Sequence, residues 1–156
     1  MRINFFKLIV SLIICQLAGF VGSLFTTPAI PGWYASLQKP TFTPPSWVFS
    51  PVWIFLYVLM GVALYLIWQA GSGKEAKMAL VLFVLQLILN MLWSVIFFGL
   101  KSPMWAFVEI IILGLAILLT ILKSLKVSKE AGYLLLPYLI WVGFAAVLNY
   151  FLWTLN

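Results

Sequence analysis

Few side chains in this sequence can do chemistry, and they lie far apart along the chain. Glu109 is the only acid inside an apolar run. An intramembrane carboxylate marks a functional site by default, but it can equally sit near the interface and pair with Lys101 or a loop amide. Both readings stand. Asn90 and Asn149 are amides within apolar runs, where each either staples helices together or meets a ligand. Trp53, Trp93 and Trp141 offer flat faces for stacking and one N–H donor each. Several indoles around one cavity suit a large planar aromatic ligand. Indole is also easily oxidised, so it can donate an electron to a photoexcited ligand.

The missing residue types narrow the chemistry further. There is no histidine, hence neither the commonest metal ligand nor the commonest general base. The single cysteine, Cys15, excludes an intrachain disulfide and reads as a small buried residue. No nucleotide-binding loop, zinc spacing or hydrolytic triad is present. If the protein is an enzyme, a bound ligand must supply the reactivity, with no metal site of its own.

The elements that position these residues follow from composition. The chain has 156 residues, 65% hydrophobic and 8% charged, with mean hydropathy +1.18. Soluble domains carry about 25% charged residues, so this is an all-α integral membrane protein. Five apolar segments, about 5–25, 46–69, 76–98, 103–123 and 132–153, each approach the ~20 residues that a bilayer requires. They form one membrane domain over 1–156. Residues 1–25 resemble a signal peptide, but the apolar run is too long and lacks a small-residue cleavage site; it reads as an uncleaved helix. Ser46 is a candidate N-cap, and Pro51 and Pro137 predict kinks near the starts of the second and fifth helices.

Between the first two helices lies Trp33–Trp53, WYASLQKPTFTPPSWVFSPVW. It is too proline-rich to begin as helix and too aromatic for an inert linker. It reads as a long loop covering a ligand site, stiffened by Pro40, Pro44 and Pro45. Trp33, Tyr34, Trp47, Trp68 and Trp153 also fit an interfacial aromatic belt.

The formal charge of +6 does not indicate nucleic acid, because the cations sit in short connections. Arg2, Lys7, Lys74, Lys77, Lys123, Lys126 and Lys129 share one side; only Lys39 and Lys101 lie on the other. The positive-inside rule then places the N-terminus in the cytoplasm and the long loop and C-terminus outside, for a bacterial cytoplasmic membrane. At ~1.5 Å per residue, Trp53, Asn90, Trp93, Trp105, Glu109 and Asn149 fall in the outer half, and Trp141 near mid-helix. Gln86, Asn90, Ser94 and Phe97 share one helix face, as do Trp141, Ala145 and Asn149. Both faces should point into the bundle, beneath the loop. Lys39 is either a plain loop cation or the partner of a carboxylate on an amphiphilic ligand. Ala18 and Gly22 form a small-xxx-small pair, serving intrachain packing or dimerisation.

The sequence resembles the translocator protein family (TspO/MBR, the peripheral-type benzodiazepine receptor family) over nearly its whole length. The resemblance rests on Trp33–Pro40 as WYASLQKP, Pro44-Pro45-x-Trp47, Asn90-x-x-Trp93 with Ile96–Gly99, and Trp105-Ala106 with Glu109. It continues in Pro137-Tyr138-Leu139-x-Trp141 and through Phe144-Ala145 to Val147-Leu148-Asn149-Tyr150. It implies a five-helix bundle with an outer-half pocket under the first loop. It also implies binding of porphyrins such as protoporphyrin IX, and of synthetic isoquinoline and benzodiazepine ligands. Bacterial members resemble tetrapyrrole sensors, carriers or scavengers tied to stress responses, and members are often homodimers. Some promote light-dependent oxidative breakdown of porphyrin with two tryptophans that match Trp53 and Trp141, the candidate catalytic pair. The candidate ligand-binding set is Trp33, Lys39, Trp47, Trp53, Tyr57, Asn90, Trp93, Trp105, Glu109, Trp141, Ala145, Leu148 and Asn149. Porphyrin would be ligand or substrate, not a resident cofactor.

One departure concerns sterols. The cholesterol-recognition pattern of mammalian members ends in a basic residue after the last helix's Tyr. Here Tyr150 is followed by Phe151, Leu152, Trp153 and Thr154. A reversed pattern runs only from Lys129 through Tyr133 to Leu135. Lipid or sterol transport is therefore the weaker alternative to tetrapyrrole handling or photo-oxidation.

Overall fold

The computed structural model describes residues 2–156. Its helices are α1 (Phe5–Ala29), α2 (Phe49–Gln69), α3 (Lys74–Ser94), α4 (Pro103–Leu125), α5 (Lys129–Leu134) and α6 (Leu136–Thr154). With their short π- and 3₁₀-helical extensions they make five spans long and apolar enough to cross a membrane. Lipid satisfies no backbone polar group, so unbroken helices are the economical solution for such runs. The protein is a five-helix integral membrane bundle.

Local chemistry sets the helix ends. Asn4 caps α1, its side chain accepting from the Lys7 N–H at 3.1 Å. The first span does not stop near Phe25 as the sequence suggested. It continues through Pro28 and then widens into a π turn, Ile30–Tyr34. Pro28 and Pro31 each lack a backbone donor, and a π turn absorbs the disturbed ladder without ending the helix. Trp33 and Tyr34 therefore belong to the helix, and the irregular loop is confined to residues between Tyr34 and Ser46. Ser46 opens a 3₁₀ turn and caps nothing; Pro45 stands at the cap position. Past α2, Gly71 adopts φ +108°, a left-handed conformation that only glycine takes at low cost.

The third span runs from Lys74 rather than Ala76 and ends in a second π turn, Val95–Gly99. The two π turns meet, with Trp33 edge-on to Phe97 at 5.4 Å and to Phe98 at 6.4 Å. The fourth span extends two residues beyond Lys123, to Leu125. The fifth begins at Lys129, earlier than expected, with Ser128 capping the Ala131 N–H at 3.2 Å. It breaks at Leu135 because the Pro137 ring clashes with the carbonyl four residues back.

The half of the bundle carrying most of the lysines (the basic end) is packed solid. Met60, Ile67, Ala79, Phe83, Ile117 and Tyr138 are fully buried there. Lys123 and Glu75 join α4 to α3 across 3.1 Å. At Gly61, α1 and α2 come so close that an added Cβ would lie 2.9 Å from the Leu12 Cα. We expect Gly61→Ala to destabilise the fold by about 1–3 kcal/mol, the scale of overpacking, read as earlier loss of the monodisperse species on heating in detergent. Gly22, the second member of the small-residue pair, faces Ser94 inside the same chain. That pair therefore serves intrachain packing.

Candidate functional site

Toward the loop end the bundle hollows out. A cavity of about 380 Å³ lies between α1, α2, α3, α4 and α6, within the range of small-molecule sites. Its wall is aromatic: Tyr34, Phe49, Trp53, Tyr57, Trp93, Phe97, Phe98 and Trp141 all contribute. Its apolar remainder comes from Ile110, Leu113, Val142, Leu148 and Leu152. No charged side chain lines it among the described residues.

Two polar networks hold this wall in place. The Tyr57 hydroxyl donates to Asn90 Oδ1, and Asn90 Nδ2 donates to the Tyr138 hydroxyl at 2.7 Å. One buried amide thus ties α2, α3 and α6 together. In the second network, Trp93 Nε1 donates to Asn149 Oδ1 at 3.0 Å, and Asn149 Nδ2 donates to the Pro103 carbonyl at 2.7 Å. That carbonyl lies in the first turn of α4, so Asn149 fixes the Trp93 ring and anchors α4 together. Buried amides satisfied in this way rigidify a site. Trp93 also stacks on Phe97 at 5.0 Å. Trp53 sits between Tyr57 at 5.7 Å and Tyr138 at 6.3 Å. Trp141 packs against Phe49 and Phe144 at 6.1 and 5.4 Å.

Two cavity-lining residues keep a polar hydrogen in reserve. Among the described residues neither the Trp141 Nε1–H nor the Tyr34 hydroxyl has a hydrogen-bond partner, although both atoms are buried. A neutral, flat, mainly apolar molecule with a few acceptors at its edge complements such a wall.

Eight residues singled out in the sequence line the cavity: Trp53, Tyr57, Asn90, Trp93, Trp141, Ala145, Leu148 and Asn149. Five do not. Trp33 packs behind Phe97 and Phe98, because the π turn carries it onto the helix surface. Trp47 and Trp105 are 74% and 61% exposed, on the outside of the bundle, as belt residues are. Lys39 lies outside the wall, its ammonium 4.7 Å from the centre of the Tyr34 ring and donating to the Leu37 carbonyl at 3.0 Å. Glu109 is buried in α4, but off the cavity wall. Neither of its oxygens has a hydrogen-bond partner among the described residues, so the alternative of pairing with Lys101 or a loop amide is not realised.

The sequence reading passed over the α1 side of the cavity. Gln16, Gly19, Ser23, Thr26 and Ile30 recur at helical spacing and line it. Tyr138 was missed as a network member, although it precedes Trp141 by three residues on the same face. The loop is another surprise. No residue from 35 to 48 lines the cavity, yet the loop is tied down above it. The Asn156 side chain exchanges two hydrogen bonds of 2.9 Å with the Gln38 backbone, and Phe42 packs on Phe151 at 5.4 Å.

Fold and site together define a multi-pass integral membrane protein whose loop-end half encloses an aromatic cavity. The chain belongs to the TspO/MBR family, whose model matches residues 11–154. It is 44% identical over 153 residues to the tryptophan-rich protein TspO of Archaeoglobus fulgidus, covering 98% of this chain and 99% of that one. Likewise, it is 44% identical over 140 residues to the translocator protein of Ovis aries, covering 88% and 83%. The tryptophan-rich sensory protein of Cereibacter sphaeroides is 38% identical over 125 residues, covering 80% and 77%.

Proposed function

We propose that this protein is a membrane receptor or handler of tetrapyrroles of the protoporphyrin IX type, acting as sensor, carrier or scavenger. The observation that carries the reading is the cavity itself: three tryptophans, two tyrosines and no charge around one hollow. Such a wall stacks on a conjugated macrocycle and offers it donors from Trp141 and Tyr34. Membership in a family with a sensory and a translocator relative accords with it. With no histidine in the chain, metal-free porphyrin suits the site at least as well as haem.

The absence of charge on the wall leaves the propionates of such a ligand at its rim. There the Lys39 ammonium, held over Tyr34, is the available cation. We expect Lys39→Gln to weaken binding of the dicarboxylate about threefold to tenfold and to leave its dimethyl ester unaffected. Fluorescence-quench titrations of both forms measure this. In this reading the lysine-rich end faces the cytoplasm and the loop faces outward.

A second reading, light-dependent oxidation of the bound porphyrin with dioxygen as the oxidant, is favoured by a specific placement. Trp53 and Trp141 stand on different helices and line the same cavity. The experiment that separates the two follows the absorbance of protoporphyrin IX bound to purified protein, in light and in darkness. A stable red-shifted Soret band means a receptor; loss of the band in light with a new product means chemistry. No spectral change on mixing removes both readings.

A further inference from the structure

The cavity must be loaded from somewhere, and the exposure of its wall points to the direction. Every lining residue from α3, α4 and α6 is buried or half-buried. The four exposed ones are Phe20 and Thr27 on α1 and Ser50 and Ile54 on α2. These two helices pack side by side and form one seam of the bundle. Both helices are flanked there by exposed apolar side chains such as Leu17, Leu24 and Phe55, as befits a surface in contact with lipid.

The seam has a closed end and an open end. At Leu12 and Gly61 the two helices nearly touch. Just above, Gln16 Nε2 donates to the Ile54 backbone carbonyl at 3.3 Å and straps α1 to α2. Beyond this strap the lining on α1 runs from Gln16 to Thr27, an axial length of about 16 Å at helical rise. Small residues, Gly19, Gly22 and Ser23, line this stretch, and at Gly19 the Tyr57 ring comes so close that an added Cβ would lie 2.5 Å from it. A long, narrow opening of this kind passes a flat molecule edge-on.

We propose that this slit between α1 and α2 is a lateral portal through which planar, membrane-dissolved ligands reach the cavity from the bilayer, with Gln16 as its gate. The proposal rests on the cavity being a ligand site. The loop, pinned by Asn156 and Phe42, then acts as a roof rather than a door. Gln16 closes the basic end of the slit with a single weak bond, which can open without disturbing the packed core below. Ser23, half-buried at the middle of the slit, is the position at which a bulky side chain would obstruct it.

The test needs no porphyrin, so it stands or falls separately from the choice of ligand. Cys15 is replaced by Ser and a cysteine is placed inside the cavity by Ala145→Cys, in full-length protein in lipid nanodiscs. Labelling rates are compared for pyrene maleimide, which partitions into the bilayer, and a trimethylammonium methanethiosulfonate, which stays in water, each normalised to its rate with an exposed control cysteine. The lipophilic reagent should label at least tenfold faster. Adding Ser23→Trp should slow it at least tenfold, and adding Gln16→Leu should speed it severalfold. Should Ser23→Trp perturb folding, Gln16→Leu still tests the gate in the opposite direction. Faster labelling by the aqueous reagent, rates indifferent to both variants, or no labelling by either reagent overturns the portal.

Discussion

Replacing Asn90 with Leu should cost this protein about 1–3 kcal/mol of stability, and the loss should be reversible by further mutation. Asn90 accepts from Tyr57 and donates to Tyr138, so its removal strands two buried hydroxyls. In water-soluble cores each orphan costs about 1–3 kcal/mol. Interhelical hydrogen bonds within membranes average nearer 0.6 and reach about 1.7 kcal/mol, which sets the range for two of them. The decisive comparison is Asn90→Leu against the triple variant that also carries Tyr57→Phe and Tyr138→Phe. Removing every partner is close to neutral where removing one is not. We therefore expect the triple variant to recover most of the loss in detergent unfolding. If the single and triple variants are equally impaired, the hydroxyls are not what Asn90 satisfies.

Trp141→Phe should divide binding from chemistry. Phe keeps an apolar ring against Phe49 and Phe144 while removing the unpaired N–H and the low oxidation potential. Stacking changes of this kind are worth about 1 kcal/mol, so porphyrin affinity should stay within about tenfold. Light-dependent loss of the pigment should fall by more than tenfold. Paired titrations and illuminated decays measure both quantities on one sample. Decay at the wild-type rate would reduce Trp141 to packing. A collapse of binding would make it a stacking contact without a demonstrated redox role.

How much of this was legible beforehand depended on the kind of signal. The five spans could be read because lipid demands long apolar runs, and the sequence holds five of them. The Asn90 and Trp141–Asn149 faces could be read because an amide in hydrocarbon must turn inward. What failed was anything governed by small backbone adjustments. The first helix was expected to end near Phe25, but it passes Pro28 and resolves the disturbance in a π turn. That turn places Trp33 behind Phe97 instead of in a loop. Trp105 shares a helix with the cavity residues Ile110 and Leu113 yet points outward, because depth alone does not specify facing. The α1 wall was hidden for the opposite reason. Ser23, Thr26 and Gly19 are small, weakly polar and easily taken for ordinary residues of a membrane helix.

Glu109 bears on the same lesson. Its type suggested a ligand contact, and the fold buries it off the cavity wall without a hydrogen-bond partner among the described residues. Chemistry-bearing residue types identify candidates, while helix rotation decides which of them face a common space.

The most direct measurement is a Soret titration of wild-type protein and an Ala145→Phe variant with protoporphyrin IX in darkness. Ala145 is half-buried on the cavity wall, beside Trp141 and Asn149 on the α6 face. A phenyl ring there fills space that a macrocycle would occupy, while leaving both hydrogen-bond networks intact. Saturable binding to the wild type, with affinity reduced at least tenfold in Ala145→Phe at unchanged thermal stability, is the expected result. Equal affinity in the two proteins would place any porphyrin elsewhere on the molecule and contradict the assignment of the cavity.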